Sequence, residues 1–448
     1  MSAFSANGAS SPTAVNGNVN VAAVLNQLFP SLISPNNDQR KQAEATYEAL
    51  KKQDPVGVVS EITRVLLSDD TPPQLLDLAA VLLRRQLGFS ALGSVPDNVK
   101  EEIKKALIIC LNPKRPASLR KKVCACITNF TASITAPVPL TDQEEQYLSE
   151  EAEKNGLDEE QIMEMLINAQ RQKEQKINTA WPDLLPTLAN LASHQDAECR
   201  FTGHELLLHL TDSIPGSLLD HTQSFFTMCQ SGLSDKQVKV KEAALRSTSA
   251  FIVLLQKPEE LKMFEQLIPG LMSTLSIVLS NSDDPELAVG AIESMVIIAE
   301  SKPTFWRGNL ESVWKAMVSL VGKDVEMINE DVQMMAMEFI LGLAEQAGGM
   351  VRKRKDLIGE FATALLQACA VLVEEDFDTW ANSKLESQFG DSSDDDELAI
   401  CGEQSLDRFA NSIGGNALFP QIMPKIEMAL GSQDWKLRRA GLTALALI

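Results

Sequence analysis

Several features that define common protein classes are missing from this sequence. Tyrosine occurs only twice in 448 residues, whereas Leu, Ala, Ile and Met are plentiful, and this mixture favours helices over sheets. Because no 18 consecutive residues are all apolar, we expect no transmembrane helix. Residues 1–20 lack the basic and apolar stretches of a secretory signal. We therefore predict a helical protein with no membrane span, preceded by a disordered tail at 1–20.

Motifs for metal binding and catalysis are also missing. The seven cysteines are odd in number, and Cys124 and Cys126 are spaced C-x-C instead of the C-x-x-C of metal sites. His204 and His209 are five residues apart, which turns them about 140° from each other on a helix, whereas the zinc-protease motif needs a spacing of four. There is no glycine-rich phosphate loop. We predict no enzyme, no cofactor and no metal site, with reduced, buried thiols in a cytosolic or nuclear protein.

The charge balance is strongly acidic. The net charge is −21 and the isoelectric point about 4.7. Such a chain repels phosphate backbones, so we expect no direct nucleic-acid binding. The same charge attracts basic partners and accelerates their capture.

A recurring pattern indicates a repeat protein. An acid is followed by an apolar residue three positions later, a cation at four and a small residue at seven, in full after Asp196 and Asp434 and partly after Asp235. The acid caps a helix, and the small residue lets a neighbouring helix approach closely. From Asp196 through Asp235 and Asp284 to Asp331, the acids are 39, 49 and 47 residues apart. Between these helices lie further helical stretches that are often introduced by proline, at 181–193, 267–280 and 418–432.

A unit of two helices and about 40–47 residues is typical of HEAT arrays. The predicted fold is all-α: a right-handed, armadillo-like α-solenoid of HEAT repeats with about nine helix pairs. The apolar stripe of the last helix ends without a cap, and each repeat normally covers its neighbour. We therefore expect the array to be incomplete at its C-terminus, with a self-associating end as the alternative.

Two acidic stretches interrupt the repeat. Residues 140–179 hold ten acids and one lysine between Asp142 and Glu164, and we interpret them as a solvated helical insertion. Residues 374–397 also hold ten acids and one lysine, for a net charge of −9. Solvation alone would explain the second run, but a loop within a curved array is also suited to bind a basic partner.

Specific motifs then suggest a family. RKQAEATYE (40–48), AAVLLRRQL (79–87), LRKKV (119–123), EEDFDTWANSKLE (374–386), GEQSLDRFANSIGG (402–415) and the final DWKLRRAGLTALALI resemble the amino-terminal part of the importin-β (karyopherin-β) nuclear transport receptors, closest to the karyopherin-β3 class. The resemblance covers about residues 21–448 in the same order. The 140–179 insertion departs from the family pattern.

The resemblance implies a function and its sites. Such receptors import basic cargo, with a lysine-rich localisation sequence or a ribosomal or histone-like character, and release it when Ran-GTP binds in the nucleus. The implied Ran-binding residues are Arg84, Arg85, Arg120, Lys121 and Lys122, although any of them could equally be a solvated surface cation. The implied acidic loop, facing Ran or cargo, comprises Glu374, Glu375, Asp376, Asp378, Asp391, Asp394, Asp395, Asp396 and Glu397.

The remaining expectations concern partners and domains. Further partners would be Phe-Gly nucleoporins, with a monomeric receptor shuttling between cytoplasm and nucleus. The alternative is a HEAT scaffold or adaptor without Ran binding, since fold alone does not fix function. The predicted division is a tail at 1–20, Ran-binding repeats at 21–139, the insertion at 140–179, repeats at 180–373, the acidic loop at 374–400 and repeats from 401 to 448.

Overall fold

The computed structural model describes residues 21–88, 95–135, 177–280, 285–322, 328–372 and 397–448. The predicted tail, most of the 140–179 insertion and nearly all of the acidic loop lie outside these ranges. The chain divides into two compact units, Met1–Leu184 and Leu185–Ile448, and each is described by itself. Every regular element in the described ranges is a helix.

The described residues of the first unit form three helix pairs. Its helices are α1 (Val21–Leu32), α2 (Asn37–Gln53), α3 (Pro55–Leu67), α4 (Pro73–Gln86), α5 (Asp97–Cys110), α6 (Ala117–Thr135) and a short α7 (Ile177–Ala180). Within each pair the first helix packs on the second, and the second helices α4 and α6 pack on each other. This arrangement buries the apolar stripes that the sequence pattern predicts.

Six helix pairs lie in the described part of the second unit. Its helices are α8 (Leu184–Ala192), α9 (Ala197–Ser213), α10 (Pro215–Leu219), α11 (Thr222–Leu233), α12 (Val238–Leu254), α13 (Pro258–Phe264), α14 (Ile268–Leu279), α15 (Pro285–Ser301), α16 (Leu310–Val321), α17 (Glu330–Val351), α18 (Lys355–Ala368), α19 (Glu397–Ile413), α20 (Gly415–Leu430) and α21 (Trp435–Leu447). Short 3₁₀ helices occupy Glu265–Leu267 and Pro303–Asn309. The second helices of successive pairs, α9, α12, α15, α17, α19 and α21, pack side by side in one row.

The described helix pairs therefore stack as the HEAT pattern predicts, which confirms the fold class. Each pair leaves an apolar face that the next pair covers. Trp314 of α16, for example, packs against Phe361 of α18 at 5.9 Å between ring centroids, and Phe361 packs against Phe409 of α19 at 4.9 Å. None of the helices in the described ranges is long and apolar enough to cross a membrane.

The predicted small residues do bring helices together. A Cβ added to Gly203 would lie 2.8 Å from the backbone nitrogen of Ala192, and one added to Gly441 would lie 3.3 Å from the Cβ of Ala429. Both glycines lie in the second helix of a pair, against the C-terminal end of the first. A side chain at Gly203 would push the two helices apart, whereas one at Gly441 would require the side chains of Ala429 and Leu430 to shift by a few tenths of an ångström.

The predicted acidic caps are partly confirmed. The carboxylates of Asp196 and Asp434 accept hydrogen bonds from the amides two residues later, and both residues are N-caps. The prediction for Asp235 was wrong, because Gln237 is the N-cap of α12. The Asp235 carboxylate still accepts the Gln237 amide, but it also binds Arg200 of the preceding pair at 2.6 Å.

The start of α20 also differs from the prediction. The proline-rich stretch at 418–432 does not open the helix, which begins at Gly415, so Pro420 and Pro424 lie inside it. Gly414 separates α19 from α20 with φ of +79°, the left-handed region that favours glycine. The conformation of Gly414 therefore determines that α20 begins at Gly415.

Candidate partner-binding surfaces

One set of arginines holds the turn within four of the described helix pairs. In each case the arginine is the fourth residue of the second helix of the pair; these residues are Arg40, Arg120, Arg200 and Arg438. Each donates hydrogen bonds of 2.7–3.2 Å to carbonyl oxygens of the turn before its own helix. These arginines supply hydrogen-bond donors to backbone carbonyl oxygens of the turn between the two helices.

This role changes the interpretation of Arg120. Its side chain is buried at 3% exposure, and its guanidinium donates to the carbonyl oxygens of Pro113 and Arg115. A buried guanidinium bonded to its own turn is not available to a partner. We therefore leave Arg120 out of the candidate surface, and its position relative to the helix start was the sequence signal for this structural role.

The other predicted cations lie on two neighbouring parallel helices, α4 and α6. Four side-chain contacts fix their register: Lys122 to Asp77, Cys126 to Ala80, Asn129 to Arg84 and Ser133 to Leu87, each joining residues 45 or 46 positions apart. The two helices therefore run in the same direction and start at the same level.

This register separates the cations into two groups. Arg84 and Arg85 are exposed at the C-terminal end of α4, level with Asn129. Lys121 and Lys122 lie in the first turns of α6, about 10 Å lower along the helix axis at 1.5 Å per residue. Lys121 is exposed, whereas the Lys122 ammonium pairs with the Asp77 carboxylate at 2.8 Å. Among the described residues, no ion pair compensates Arg84 or Arg85, so these two exposed arginines carry the larger available positive charge.

The acidic loop can be placed only at its last residue. Glu397 is the exposed first residue of α19. The other eight predicted acids lie outside the described residues: Glu374, Glu375, Asp376, Asp378, Asp391, Asp394, Asp395 and Asp396. An acid in the first turn of a helix is favoured by the helix dipole, whatever partner it binds.

The second unit contains ion pairs that the sequence analysis missed. Arg246 of α12 bonds the Glu205 carboxylate of α9 and the Glu242 carboxylate of its own helix, each at 2.5 Å. Both carboxylates are buried, at about 2% exposure. Burial opposes the charge of Arg246, but the bonds to Glu242 and the charge of Glu205 outweigh that penalty and raise the pKa of Arg246.

Similar pairs join other second helices. Arg408 of α19 bonds Glu345 and Glu338 of α17 at 2.9 and 2.6 Å, and these bonds raise the pKa of Arg408. Arg439 of α21 lies 2.8 Å from Glu403 of α19. Along this row the acids of one helix meet the cations of the next. Sequence spacing alone could not pair them, because the partners are 36 to 70 residues apart.

His204, one of the two histidines noted in the sequence, is a core residue. His204 is 1% exposed, and its Nδ1 lies 3.0 Å from the Ser247 hydroxyl oxygen. Burial lowers the pKa of His204 to about 4, so the ring is neutral at physiological pH. It packs against Gly232, where an added Cβ would lie 2.2 Å from Nε2. Within the described residues, no group of three or more His, Cys, Asp or Glu is arranged to hold a metal.

The cysteines behave as core residues. Six are buried and Cys401 is partly exposed. Burial raises the pKa of Cys126 and of Cys229 to about 12, so both remain protonated thiols.

A second missed feature is a run of four cations, Arg352-Lys353-Arg354-Lys355, at the turn between α17 and α18. It is the only run of four consecutive cations in a chain of net charge −21. The signal was therefore visible in the sequence, although not the roles of the individual side chains.

Stacked helix pairs, several of them with a side-chain cap on the second helix, and ion pairs between neighbouring second helices define a HEAT-repeat protein. Two family models match this chain. A model described as IPO5-like, TPR repeats matches residues 162–316, and the model of the importin repeat matches residues 323–420. Together they cover more than half of the chain. The chain belongs to the importin-β (karyopherin-β) family.

Comparison with individual proteins agrees with this assignment. A probable importin-5 homolog from Dictyostelium discoideum is 21% identical over 428 residues, which are 95% of this chain and 35% of the relative. The importin subunit beta-3 of Saccharomyces cerevisiae is 24% identical over 272 residues, 60% of this chain and 24% of the relative. The crystal structure of Kap121p bound to Nup53p has a TM-score of 0.70 at 19% identity, and covers 95% of this chain and 36% of its own. At such identity this last likeness shows the fold. The chain spans about a third of the length of the first of these relatives.

Proposed function

We propose that this chain is the amino-terminal part of a nuclear import receptor that binds basic cargo and releases it when Ran-GTP binds. The observation that carries the proposal is the match of two importin family models to residues 162–316 and 323–420, on a fold of stacked HEAT pairs. Receptors of this family are not enzymes, and we propose the same for this chain, without cofactor or metal.

The charge of the chain supports basic cargo. A net charge of −21 attracts lysine-rich or arginine-rich segments, and the attraction acts over a screening length of about 8 Å at physiological salt. Kap121p has been crystallised with Pho4p and with Nup53p. By analogy we propose protein cargo and Phe-Gly nucleoporins as partners, and shuttling of a monomeric receptor between cytoplasm and nucleus.

We propose that Ran-GTP binds the first unit through Arg84 and Arg85, with Lys121 as a peripheral contact. The exposure of both arginines at one helix end supports this choice. Lys122 contributes less, because Asp77 already compensates its charge. The acidic segment from Glu374 to Glu397 is proposed as a second contact, which fits the division into Ran-binding repeats at 21–139 and an acidic loop at 374–400.

The mechanism is thermodynamic linkage between the two ligands. If Ran-GTP and cargo bind antagonistically, each weakens the other by the same coupling free energy, typically ~1–3 kcal/mol. A stacked array is suited to such coupling, because small rotations between neighbouring pairs add up along its length.

A pull-down with Ran tests the proposal. The chain is immobilised and offered Ran loaded with GTP or with GDP, and we expect selective capture of the GTP form. Equal capture of both forms, or capture of neither, would contradict the proposal and favour a HEAT scaffold.

Charge-reversal variants test the surfaces. We expect Arg84→Glu/Arg85→Glu to weaken Ran-GTP binding at least about tenfold, equivalent to ~1.4 kcal/mol. Lys236→Glu/Lys262→Glu is the matched control, because it makes the same charge change at exposed positions of the second unit, outside the proposed Ran-binding repeats. Similar losses in both variants would show a general charge effect and reject the proposed surface.

The acidic segment is tested separately. Changing Asp394, Asp395, Asp396 and Glu397 to lysine should weaken Ran or cargo binding and reduce its dependence on salt. Unchanged affinity for both ligands would remove this segment from the proposal.

A further inference from the structure

The end of α4 carries two exposed arginines next to residues that are buried. Arg84 and Arg85 are exposed, whereas Gln86 and Leu87, which follow them directly, are buried. The last carbonyl oxygens of a helix have no partner within the helix, and a helix end that no neighbour holds frays readily. Fraying at this point would leave the direction of both guanidinium groups unfixed.

The neighbouring helix α6 holds this end of α4 through Asn129. The Asn129 side-chain amide donates to the Arg84 carbonyl oxygen at 3.2 Å. The Ser133 hydroxyl, one helical turn further along α6, lies 2.8 Å from the Leu87 carbonyl oxygen and 2.8 Å from that of Asn129, so the two oxygens share this donor. Asn129 therefore binds the backbone of Arg84 itself, and Ser133 supports the residue that ends the helix.

The helix α2 holds the same end of α4 through Gln86. The Gln86 side-chain amide donates to the Tyr47 hydroxyl oxygen at 3.0 Å, and both side chains are only 5% exposed. Burial raises the pKa of Tyr47, whereas the hydrogen bond with Gln86 and the positive charge of Arg85 lower it. The Arg85 guanidinium therefore lies close enough to the Tyr47 phenol to act on its ionisation.

These contacts join three helix pairs at one helix end. The helices α2, α4 and α6 are the second helices of the three described pairs of the first unit. Three of the four residues at 84–87 take part, through the Arg84 backbone, the Gln86 side chain and the Leu87 backbone. The backbone that carries both arginines is therefore fixed before a partner binds.

We propose that Asn129 and Tyr47, supported by Ser133, are positioning residues that direct Arg84 and Arg85 toward an acidic face of a partner protein. This role rests on the proposed function, in which that partner is Ran-GTP. Neither Asn129 nor Tyr47 is charged at neutral pH, so neither contributes to the long-range attraction itself.

The geometry of guanidinium binding explains why uncharged neighbours would change the affinity. A guanidinium binds a carboxylate best when two parallel N–H donors meet the two oxygens, so its direction matters more than that of a lysine ammonium. A side chain that must be ordered on binding lowers the affinity by about two- to tenfold. Fixing the end of α4 in advance reduces this loss.

Ran-GTP binding by four versions of the full chain tests the positioning role. They are the native chain, Asn129→Ala/Ser133→Ala, Arg84→Ala/Arg85→Ala and the combination of all four changes. We expect Asn129→Ala/Ser133→Ala to weaken binding about two- to tenfold when both arginines are present, and less than about 1.5-fold when both are absent. Tyr47→Phe, which removes the oxygen that accepts the Gln86 amide, should show the same dependence on the arginines.

Cys126→Ala is the matched control for a loss of stability. The Cys126 Sγ lies 3.2 Å from the Ala80 carbonyl oxygen, so it links the same two helices one turn before Arg84. Its removal from the core should lower the urea midpoint but change the Ran-GTP affinity less than about twofold.

Hydrogen–deuterium exchange of the free chain tests the held helix end without a partner. In Asn129→Ala/Ser133→Ala the amides of residues 84–88 should exchange at least about threefold faster, because the end of α4 opens more often. The amides at 77–80, in the middle of the same helix, should exchange as in the native chain.

Three results would overturn the positioning role. They are an equal loss of Ran-GTP affinity with and without the arginines, an equal loss in Cys126→Ala, and unchanged exchange at 84–88. A failure of the proposed function looks different: the native chain would not select Ran-GTP, or Arg84→Ala/Arg85→Ala would bind it as tightly as the native chain. The positioning role would then fall with that function, whereas unchanged exchange rejects the held helix end alone.

Discussion

The close approach of two helices at Gly203 allows us to predict how much stability a Gly203→Ala substitution would cost. In Gly203→Ala the new Cβ would lie 2.8 Å from the nitrogen and 3.0 Å from the Cα of Ala192, whereas ordinary contacts are 3.4–4 Å. Both atoms belong to backbone, so the helices α8 and α9 must separate by several tenths of an ångström. Such overpacking costs about 1–3 kcal/mol.

A second glycine isolates that cost. Gly290 lies inside α15, and a Cβ added there meets no atom within 4 Å. Both substitutions gain about 1 kcal/mol of helix propensity, so this gain cancels when the two variants are compared. We expect Gly290→Ala to be more stable than the native chain, and more stable than Gly203→Ala by about 1–3 kcal/mol.

Urea unfolding followed by circular dichroism measures the difference. Comparison of midpoints is valid where the slope of each transition is unchanged, since a changed slope would indicate a different unfolding reaction. If Gly203→Ala proved as stable as Gly290→Ala, the inferred helix contact would be wrong. A destabilised Gly290→Ala would instead refute the open space around that residue.

Three further predictions concern buried or turn-forming charges. The pKa of His204 is about 4, below its value in an unfolded chain, so protonation favours the unfolded state. The free energy of unfolding should therefore fall by on the order of 3 kcal/mol as the pH decreases from about 6.5 to 4. A His204→Gln variant measured by urea unfolding across that range should lose less. Arg246→Met leaves two buried carboxylates without their cation and should cost about 3–5 kcal/mol in the same assay. Arg120→Ala should lower the thermal midpoint, whereas Lys121→Ala, at an exposed neighbouring position, should not.

Each of these has a result that contradicts it. An NMR titration that placed the His204 pKa near 6.5 would show that its ring is hydrated. An Arg246→Met variant as stable as the native chain would mean that the two glutamates find other partners or solvent. Equal midpoints for Arg120→Ala and Lys121→Ala would remove the turn-forming role of Arg120.

Local patterns in the sequence determined the helical repeat. Asp196 and Asp434 start helices because a carboxylate accepts amides two residues later, and this interaction needs no tertiary contact. Gly203 and Gly441 were identified because a small residue recurs seven positions after the capping acid, and both glycines do lie close to the preceding helix. The acidic loop was recognised from composition and family resemblance, and its role stays a prediction.

Only the tertiary structure decided which charges are available. Arg120 and Lys121 are adjacent in sequence, yet one is buried on a turn and the other is exposed, because successive helical positions differ by about 100°. Arg246 of α12 bonds Glu205 of α9, in the neighbouring helix pair. This contact depends on how the two helices are aligned along their axes. Local periodicity states which face of a helix is apolar, but ion pairing between repeats depends on how far each helix is displaced along its neighbour. That displacement is set by side-chain packing over the whole interface.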